Sequence, residues 1–199
     1  MKPNWFVGLP VAAASWLASM TADLPESCRA FDARDVHMTV AFLGAVEPAG
    51  VSAVIDLLNA VEERAFFITL GRVLALPTPK RVSALSLEPL EGIARARLFI
   101  EGWRERFCRA AGCRPDPRPP LPHITVARPK RKAGHEGRQQ ALDWSSRVKA
   151  PTQRILLDHV ALYTWADDRR LRQFRIVAEK ALVSGHETAS DAEINRSVP

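Results

Sequence analysis

The sequence predicts an α+β domain built from two related halves, and two observations carry this prediction. The phrase His-x-Thr-Val-Ala occurs twice, at residues 37–41 and 123–127. Segments in which apolar and polar residues alternate, as in strands, are interspersed along the chain with segments of helical periodicity. Because strand-helix-strand units then each carry one copy of the phrase, we expect an internal duplication.

The individual elements follow from the same patterns. Strands are predicted at residues 5–9, within 32–43, and at 66–70, 82–87, 123–128, 154–165 and 171–178. Helices are predicted at residues 10–20, 48–60 and 90–111, with Gly112 ending the longest of them. The Pro-rich residues 115–122 are expected to run extended into the second phrase.

As a strand, each phrase places an imidazole, a hydroxyl and a methyl group on one face. In the first copy these are His37, Thr39 and Ala41, and the alternation sends residues 38, 40 and 42 to the core. The second copy repeats this with His123, Thr125 and Ala127. Two such strands side by side would form a cleft that holds two imidazoles and two hydroxyls.

Arg128 breaks the pattern at the end of the second phrase. Strict alternation would place it on the core face, where an unpaired charge is costly. We therefore expect the strand to end or bulge at Arg128, as the following Pro129 also indicates.

These groups are sufficient to cleave a phosphodiester without a metal ion. One neutral histidine can take a proton from the attacking water, and a protonated histidine can give one to the leaving oxygen. Thr39 and Thr125 can donate hydrogen bonds to the non-bridging oxygens, and Arg128 can add a charge-assisted contact. A single His beside a Thr in a strand is usually structural, so the duplication is what favours function.

The two phrases in their wider context resemble a known family. His37-x-Thr39-x-x-Phe42-Leu43-Gly44 and Pro122-His123-x-Thr125-x-x-Arg128 are similar to the two signature motifs of the 2H phosphoesterase superfamily. The similarity is greatest to its RNA 2′,3′-cyclic phosphodiesterase branch, also called 2′-5′ RNA ligase. It extends over about residues 5 to 183, and residues 5–10, 79–85 and 160–163 resemble further strands of that family.

The resemblance implies a bilobal fold in which two antiparallel sheets face each other across a central cleft, with helices outside. It implies hydrolysis of an RNA terminal 2′,3′-cyclic phosphate to a 2′-phosphate, with 2′-5′ ligation as the reverse reaction. His123 would activate water and His37 would protonate the leaving oxygen, although the near-symmetric sequence leaves that order open. Phe42, Arg81 and Tyr163 are further candidates for substrate contact. Thr164-Trp165 departs from the small residue usual in the family after Tyr163, which changes one wall of the expected cleft.

The composition fits a single domain. The chain has 199 residues, 47% of them hydrophobic, and a formal net charge of +6, which favours a polyanionic partner. We expect one domain at residues 1–183 and a disordered tail at 184–199. Three cysteines, an odd number, indicate a reducing compartment, and we expect a cytoplasmic monomer with no obligate protein partner. No apolar run has the length of a membrane span, and no cysteine or histidine spacing indicates a metal, so neither a membrane nor a cofactor is expected.

Three alternatives stay open at the level of sequence. The same chemistry could act on a small cyclic phosphate, such as an ADP-ribose cyclic phosphate. The chain could instead be a non-catalytic RNA-binding protein with structural histidines. Finally, the basic cluster after the second phrase is either an RNA-facing lip or a solvated loop; it comprises Arg128, Lys130, Arg131, Lys132, His135 and Arg138.

Overall fold

A computed structural model of the chain describes residues 3–184. Within this range the chain forms ten strands and four α-helices. The strands are β1 (Trp5–Pro10), β2 (Cys28–Ala30), β3 (His37–Gly44), β4 (Phe66–Ile68), β5 (Leu70–Leu76), β6 (Ala84–Pro89), β7 (Ile124–Pro129), β8 (Ile155–Leu157), β9 (His159–Trp165) and β10 (Phe174–Ala181). The helices are α1 (Leu17–Met20), α2 (Pro48–Asn59), α3 (Ile93–Ala110) and α4 (His135–Arg147).

The strands form antiparallel sheets, which confirms the predicted α+β class. The larger sheet has the order β10-β9-β1-β3-β7-β6-β5, and β2 pairs with β7 beside this path. β4 and β8 form a separate two-stranded sheet. The two motif strands, β3 and β7, are joined by one residue pair, Met38 with Ile124. The two halves of the larger sheet therefore meet where the two histidine phrases begin.

Helices cover one face of this sheet and form the core with it. α3 packs against β3 through a stripe that includes Phe99, Trp103 and Phe107, each no more than 5% exposed. Met38 and Ile124, at the junction of the two halves, are fully buried. The opposite face of the motif strands is left for polar side chains.

Both histidine phrases contain a β-bulge at the same position. Along β1, Val7 pairs with Ala41 and Gly8 pairs with Thr39, so Val40 is an extra residue in β3. Along β6, Leu85 pairs with Ala127 and Ser86 pairs with Thr125, so Val126 is an extra residue in β7. A bulge of this kind shifts the two-residue alternation by one residue.

The bulges correct three predictions that rested on strict alternation. Ala41 and Ala127 point to the core, where they are 1% and 0% exposed, and do not share the face of the histidines. Phe42 is 62% exposed rather than buried in the core. Arg128 does leave the core face as expected, but the bulge that turns it lies at Val126, and β7 continues to Pro129.

Helix α4 was not predicted, since its segment was interpreted as a lip or loop. Its buried residues are Gly137, Ala141 and Trp144, at helical spacing. Because glycine is not counted as an apolar residue, the buried stripe of α4 shows only two apolar positions in the sequence. A Cβ on Gly137 would lie 2.8 Å from the Cβ of Ser27, which shows how closely α4 approaches the segment before β2.

Other predictions stand as follows. α1 is a single turn rather than a helix over residues 10–20. The strand predicted at residues 66–70 is β4 with the first residue of β5, and β5 continues to Leu76. Apart from Ser184, the predicted tail at residues 184–199 lies outside the described residues. None of the helices in the described range combines the length and apolarity needed to cross a bilayer.

Candidate active site

The two histidine phrases line a common cavity of about 290 Å³. Six of the predicted site residues lie in its wall: His37, Thr39, Phe42, His123, Thr125 and Arg128. The wall is completed by Asn4, Phe6, Phe31, Trp165, Arg169, Gln173 and Phe174. A larger cavity of about 780 Å³ lies beside Arg34, Arg154 and Arg172 and contains none of the motif side chains.

The two histidine rings are held in the same way. Nδ1 of His37 lies 2.6 Å from the carbonyl oxygen of Asp35, and Nδ1 of His123 lies 2.7 Å from the carbonyl oxygen of Leu121. A carbonyl only accepts, so in each ring Nδ1 carries the proton and donates it. In the neutral ring Nε2 is then the atom with the free electron pair.

Aromatic rings enclose His37. The ring of Phe6 stacks on it with the centroids 4.5 Å apart, and the edge of Phe174 meets it at 5.6 Å. Burial lowers the pKa of the His37 imidazole to about 4, even though the Asp35 carbonyl favours the charged ring. The nearby His123 and Arg128 act in the same direction as burial. With this pKa, His37 is neutral at pH 7.

Gly8 makes room for this arrangement. A Cβ at that position would lie 3.1 Å from the Met38 carbonyl oxygen and 3.3 Å from Cδ2 of His37. Any side chain at position 8 would thus press against the His37 ring. Gly8 was not among the predicted site residues, because nothing around it in the sequence shows that another strand approaches so closely.

Thr125 is held by a serine that the sequence analysis also missed. The hydroxyls of Thr125 and Ser86 lie 3.0 Å apart, and Ser86 on β6 is fully buried. A buried serine usually needs a hydrogen-bond partner, so the contact orients the Thr125 hydroxyl. A serine in the middle of a predicted strand was the one available signal.

The end of β9 and the following turn add Trp165 and Arg169 to the cavity wall. The guanidinium of Arg169 lies 4.5 Å from the centroid of the Trp165 ring, a cation–π contact. Trp165 belongs to the pair Thr164-Trp165, which was expected to change one wall of the cleft, and Arg169 was not predicted. They place a flat, positively charged surface in the cavity that contains His37 and His123.

Two predicted contact residues do not line the cavity. Arg81 lies in a short 3-10 turn, Pro79–Arg81, and is exposed there. Tyr163 is 1% exposed, and its ring stacks on Phe6 with the centroids 4.7 Å apart. Burial also raises the pKa of the Tyr163 phenol above its usual range. Tyr163 therefore supports the rings around His37 and does not reach a ligand.

The remaining side chains of interest lie apart from one another. His135 begins α4, and Nδ1 of His159 lies 2.8 Å from the Asp158 carboxylate at a half-buried position. Cys28 and Cys108 are buried free thiols. Among residues 3–184, no three His, Cys, Asp or Glu side chains are grouped so as to hold a metal ion.

The first part of the chain is similar to a known protein family. Residues 7–84 match a family described as LigT like Phosphoesterase. That match includes the first phrase, and the structure brings the second phrase beside it. No curated protein matches the sequence.

Solved structures share the fold over most of the chain. E. coli LigT, crystallised with 3′-AMP, is 22% identical with a TM-score of 0.65 and covers 92% of this chain and 99% of its own. Its complex with NADP+ gives 23% identity and a TM-score of 0.63, with the same coverage. A protein of Thermus thermophilus is 18% identical with a TM-score of 0.65 and covers 92% of this chain and 100% of its own.

Proposed function

We propose that this chain is a phosphodiesterase of the 2H phosphoesterase type, as its two histidine phrases and the family match over residues 7–84 support. We propose further that it opens the terminal 2′,3′-cyclic phosphate of RNA to a 2′-phosphate without a metal ion. The observation that carries the proposal is the pair of histidines in one cavity, each with Nδ1 bound to a backbone carbonyl. Both rings then offer Nε2 for proton transfer. Two such groups, one accepting and one donating, are what a hydrolysis of this kind needs.

The reaction can be written with the residues of the cavity. Water attacks phosphorus as the bond from phosphorus to the 3′ oxygen breaks. One histidine accepts a proton from the water through Nε2, and the other donates a proton to the departing 3′ oxygen. Thr39 and Thr125 donate hydrogen bonds to the non-bridging oxygens, where negative charge increases in the transition state.

Which histidine acts as the acid and which as the base depends on whether His37 is protonated when the substrate is bound. The resemblance assigns His37 as the acid, yet its pKa of about 4 leaves it neutral at pH 7. An anionic phosphate beside the ring favours the charged form and raises this pKa. We therefore propose that His37 takes up its proton as the substrate binds.

RNA is favoured over a small cyclic phosphate by the charges and rings of the cavity. Among its lining residues Arg128 and Arg169 are cationic, and within the described range no Asp or Glu lies in its wall. Trp165 and Phe42 offer aromatic surfaces for a base. The same groups would join two RNA ends if the 5′ hydroxyl of a second strand took the place of water. That hydroxyl would lose its proton to one histidine and attack phosphorus, the bond to the 3′ oxygen would break as the other histidine protonates it, and a 2′-5′ linkage would remain. Hydrolysis is favoured by the excess of water.

Turnover of an oligoribonucleotide with a 2′,3′-cyclic phosphate end, in EDTA, tests the proposal. The wild type should yield only the 2′-phosphate, and His37→Ala and His123→Ala should each slow turnover about 100-fold or more. His159→Ala is the matched control, because this half-buried histidine lies outside the cavity; it should keep full activity.

Two results would contradict the proposal in different ways. Activity only on a small cyclic phosphate would assign the same chemistry to another substrate. RNA binding by a folded wild type without turnover of either substrate would favour the non-catalytic alternative. Retained RNA binding by both inactive histidine variants would support the enzyme.

A further inference from the structure

Two arginines lie opposite each other where β2 pairs with β7. The register places Arg29 directly across from Arg128, between the pairs Cys28 with Pro129 and Ala30 with Ala127. Opposite residues of an antiparallel pair lie on the same face of the sheet, with Cβ atoms about 5 Å apart. Arg128 lines the cavity, so Arg29 lies on the cavity side one strand further out.

This arrangement leaves two positive charges without a carboxylate partner in the described part of the chain. Arg128 instead lies over the ring of Phe31, with 5.4 Å between the guanidinium and the ring centroid. The nearby carboxylate of Asp32 is already bound by Arg34, at 2.8 Å. Like charges directly across a strand pair destabilise the sheet, and an anion between them would remove the repulsion.

The positive charge continues along the chain after β7. Lys130, Arg131 and Lys132 are exposed, and the backbone N–H of Lys130 donates to the Ser27 carbonyl at 2.8 Å. That bond holds the segment beside the start of β2. Arg29, Arg128 and residues 130–132 are therefore neighbours on β2, β7 and the segment after β7, and we call them the basic strip. Of these residues, Arg128 lines the cavity. Along the chain the strip is flanked by Glu26 and Glu136.

We propose that the basic strip binds the phosphodiester backbone of single-stranded RNA on the 5′ side of the nucleotide held in the cavity. The inference rests on the proposed function and adds to it a binding surface for the rest of the RNA strand. A 2′,3′-cyclic phosphate terminates the 3′ end, so the rest of the strand leaves the cavity in the 5′ direction. Arg29 lies across from Arg128, and residues 130–132 follow Arg128 along the chain, so a polyanion that leaves beside Arg128 has both within reach.

The length of the substrate provides the test. KM and kcat are measured for a nucleoside 2′,3′-cyclic phosphate and for oligoribonucleotides of increasing length with the same end. For the wild type, KM should fall as nucleotides are added. Arg29→Gln should raise KM for the oligomers about three- to tenfold, and it should reduce the slope of log binding affinity against log salt by about 0.7.

The shortest substrate and a distant arginine are the controls. Because Arg29 does not line the cavity, Arg29→Gln should leave turnover of the nucleoside cyclic phosphate within about twofold of the wild type. The triple change Lys130→Gln, Arg131→Gln and Lys132→Gln should behave in the same way. Arg97→Gln removes an equal charge on the exposed side of α3 and should change neither substrate.

The outcomes separate this inference from the proposed function. Two results would reject RNA binding by the basic strip without affecting the proposed enzymatic function. One is a wild type whose KM is the same for substrates of every length. The other is an Arg29→Gln effect on KM that is as large for the nucleoside as for the oligomers. Absence of turnover on every substrate would reject the proposed function. In that case, anisotropy with a labelled oligomer ending in a 3′-phosphate still tests the strip, and unchanged affinity in Arg29→Gln would reject it too.

Discussion

The backbone carbonyl of Asp35 accepts the Nδ1 proton of His37 at 2.6 Å, while the side chain of Asp35 is bound on the opposite side by another strand. Its carboxylate, 1% exposed, accepts the backbone N–H groups of Gln173 and Phe174 at 2.6 and 3.0 Å. Asp35 thus ties the start of β3 to the start of β10, and Phe174 in turn meets the His37 ring. The orientation of one histidine depends on both strands.

The first prediction is that a phosphate ligand changes the protonation of His37. Burial lowers the pKa of His37 to about 4. Binding of a nucleoside 2′-phosphate should raise it by about 2 units, because the anion favours the charged ring. NMR titration of the His37 imidazole with and without ligand measures this directly.

The sign of the linked pH effect follows from the same shift. A group whose pKa rises on binding takes up a proton, so ligand affinity is highest below about pH 4 and falls as the pH rises through the pKa of the bound form. The titration of the ligand phosphate itself must be subtracted. His159 serves as the internal control, and a His37 pKa that stays near 4 with ligand bound would reject His37 as the acid and make it the base.

The second prediction is that Phe42→Ala affects substrate binding, whereas Leu43→Ala affects stability. Phe42 is 62% exposed in the cavity wall, so Phe42→Ala should change the free energy of unfolding by less than about 1 kcal/mol. It should raise KM for the oligonucleotide, since an aromatic contact with the substrate is lost. Leu43 is 4% exposed, and Leu43→Ala should cost about 2 to 5 kcal/mol. Denaturant unfolding and kinetics together check both variants.

A large loss of stability in Phe42→Ala together with a small one in Leu43→Ala would contradict the bulge at Val40. If β3 kept a strict alternation, Phe42 would be in the core and Phe42→Ala would cost about 3 to 5 kcal/mol. Leu43→Ala would then be nearly neutral. The two substitutions therefore report which face each side chain occupies.

The sequence predicted the fold class and most of the strands because the two-residue alternation is local information. The sequence also predicted that two His and Thr pairs line one cleft. In each phrase the His and the Thr are two residues apart, and a strand puts such residues on one face. What it lacked was the position of the bulges. A bulge depends on pairing with β1 or β6, and neither partner can be read from the residues of the phrase itself.

Residues from distant parts of the chain were the hardest to find. Ser86, Arg169 and Gly8 reach the site or its supports through pairing and turns that no local pattern specifies. Tyr163 and Trp165 illustrate the same limit: they share a strand and a face, and only tertiary packing decides that the first is buried under Phe6 and the second lines the cavity. Sequence reasoning selected Tyr163 for the role that the position of Trp165 suits better.

The third prediction is that Trp165 contacts the base of the substrate. Turnover of a nucleoside 2′,3′-cyclic phosphate is compared with that of ribose 2′,3′-cyclic phosphate, which lacks a base. Stacking contributes about 1 to 3 kcal/mol per base, so the wild type should prefer the nucleoside in kcat/KM by about 5- to 150-fold. Trp165→Leu should abolish most of this preference, and Trp165→Phe should retain part of it.

The two substrates together decide how Trp165 acts. If Trp165 only shaped the cavity or supported Arg169, Trp165→Leu would lower kcat/KM for both substrates by the same factor and leave the preference unchanged. Arg169→Gln, which removes the cation over the Trp165 ring and leaves the ring in place, measures the contribution of charge separately. Loss of the preference in Trp165→Leu but not in Arg169→Gln would assign base recognition to the ring itself. Loss in Arg169→Gln alone would transfer that role to the guanidinium.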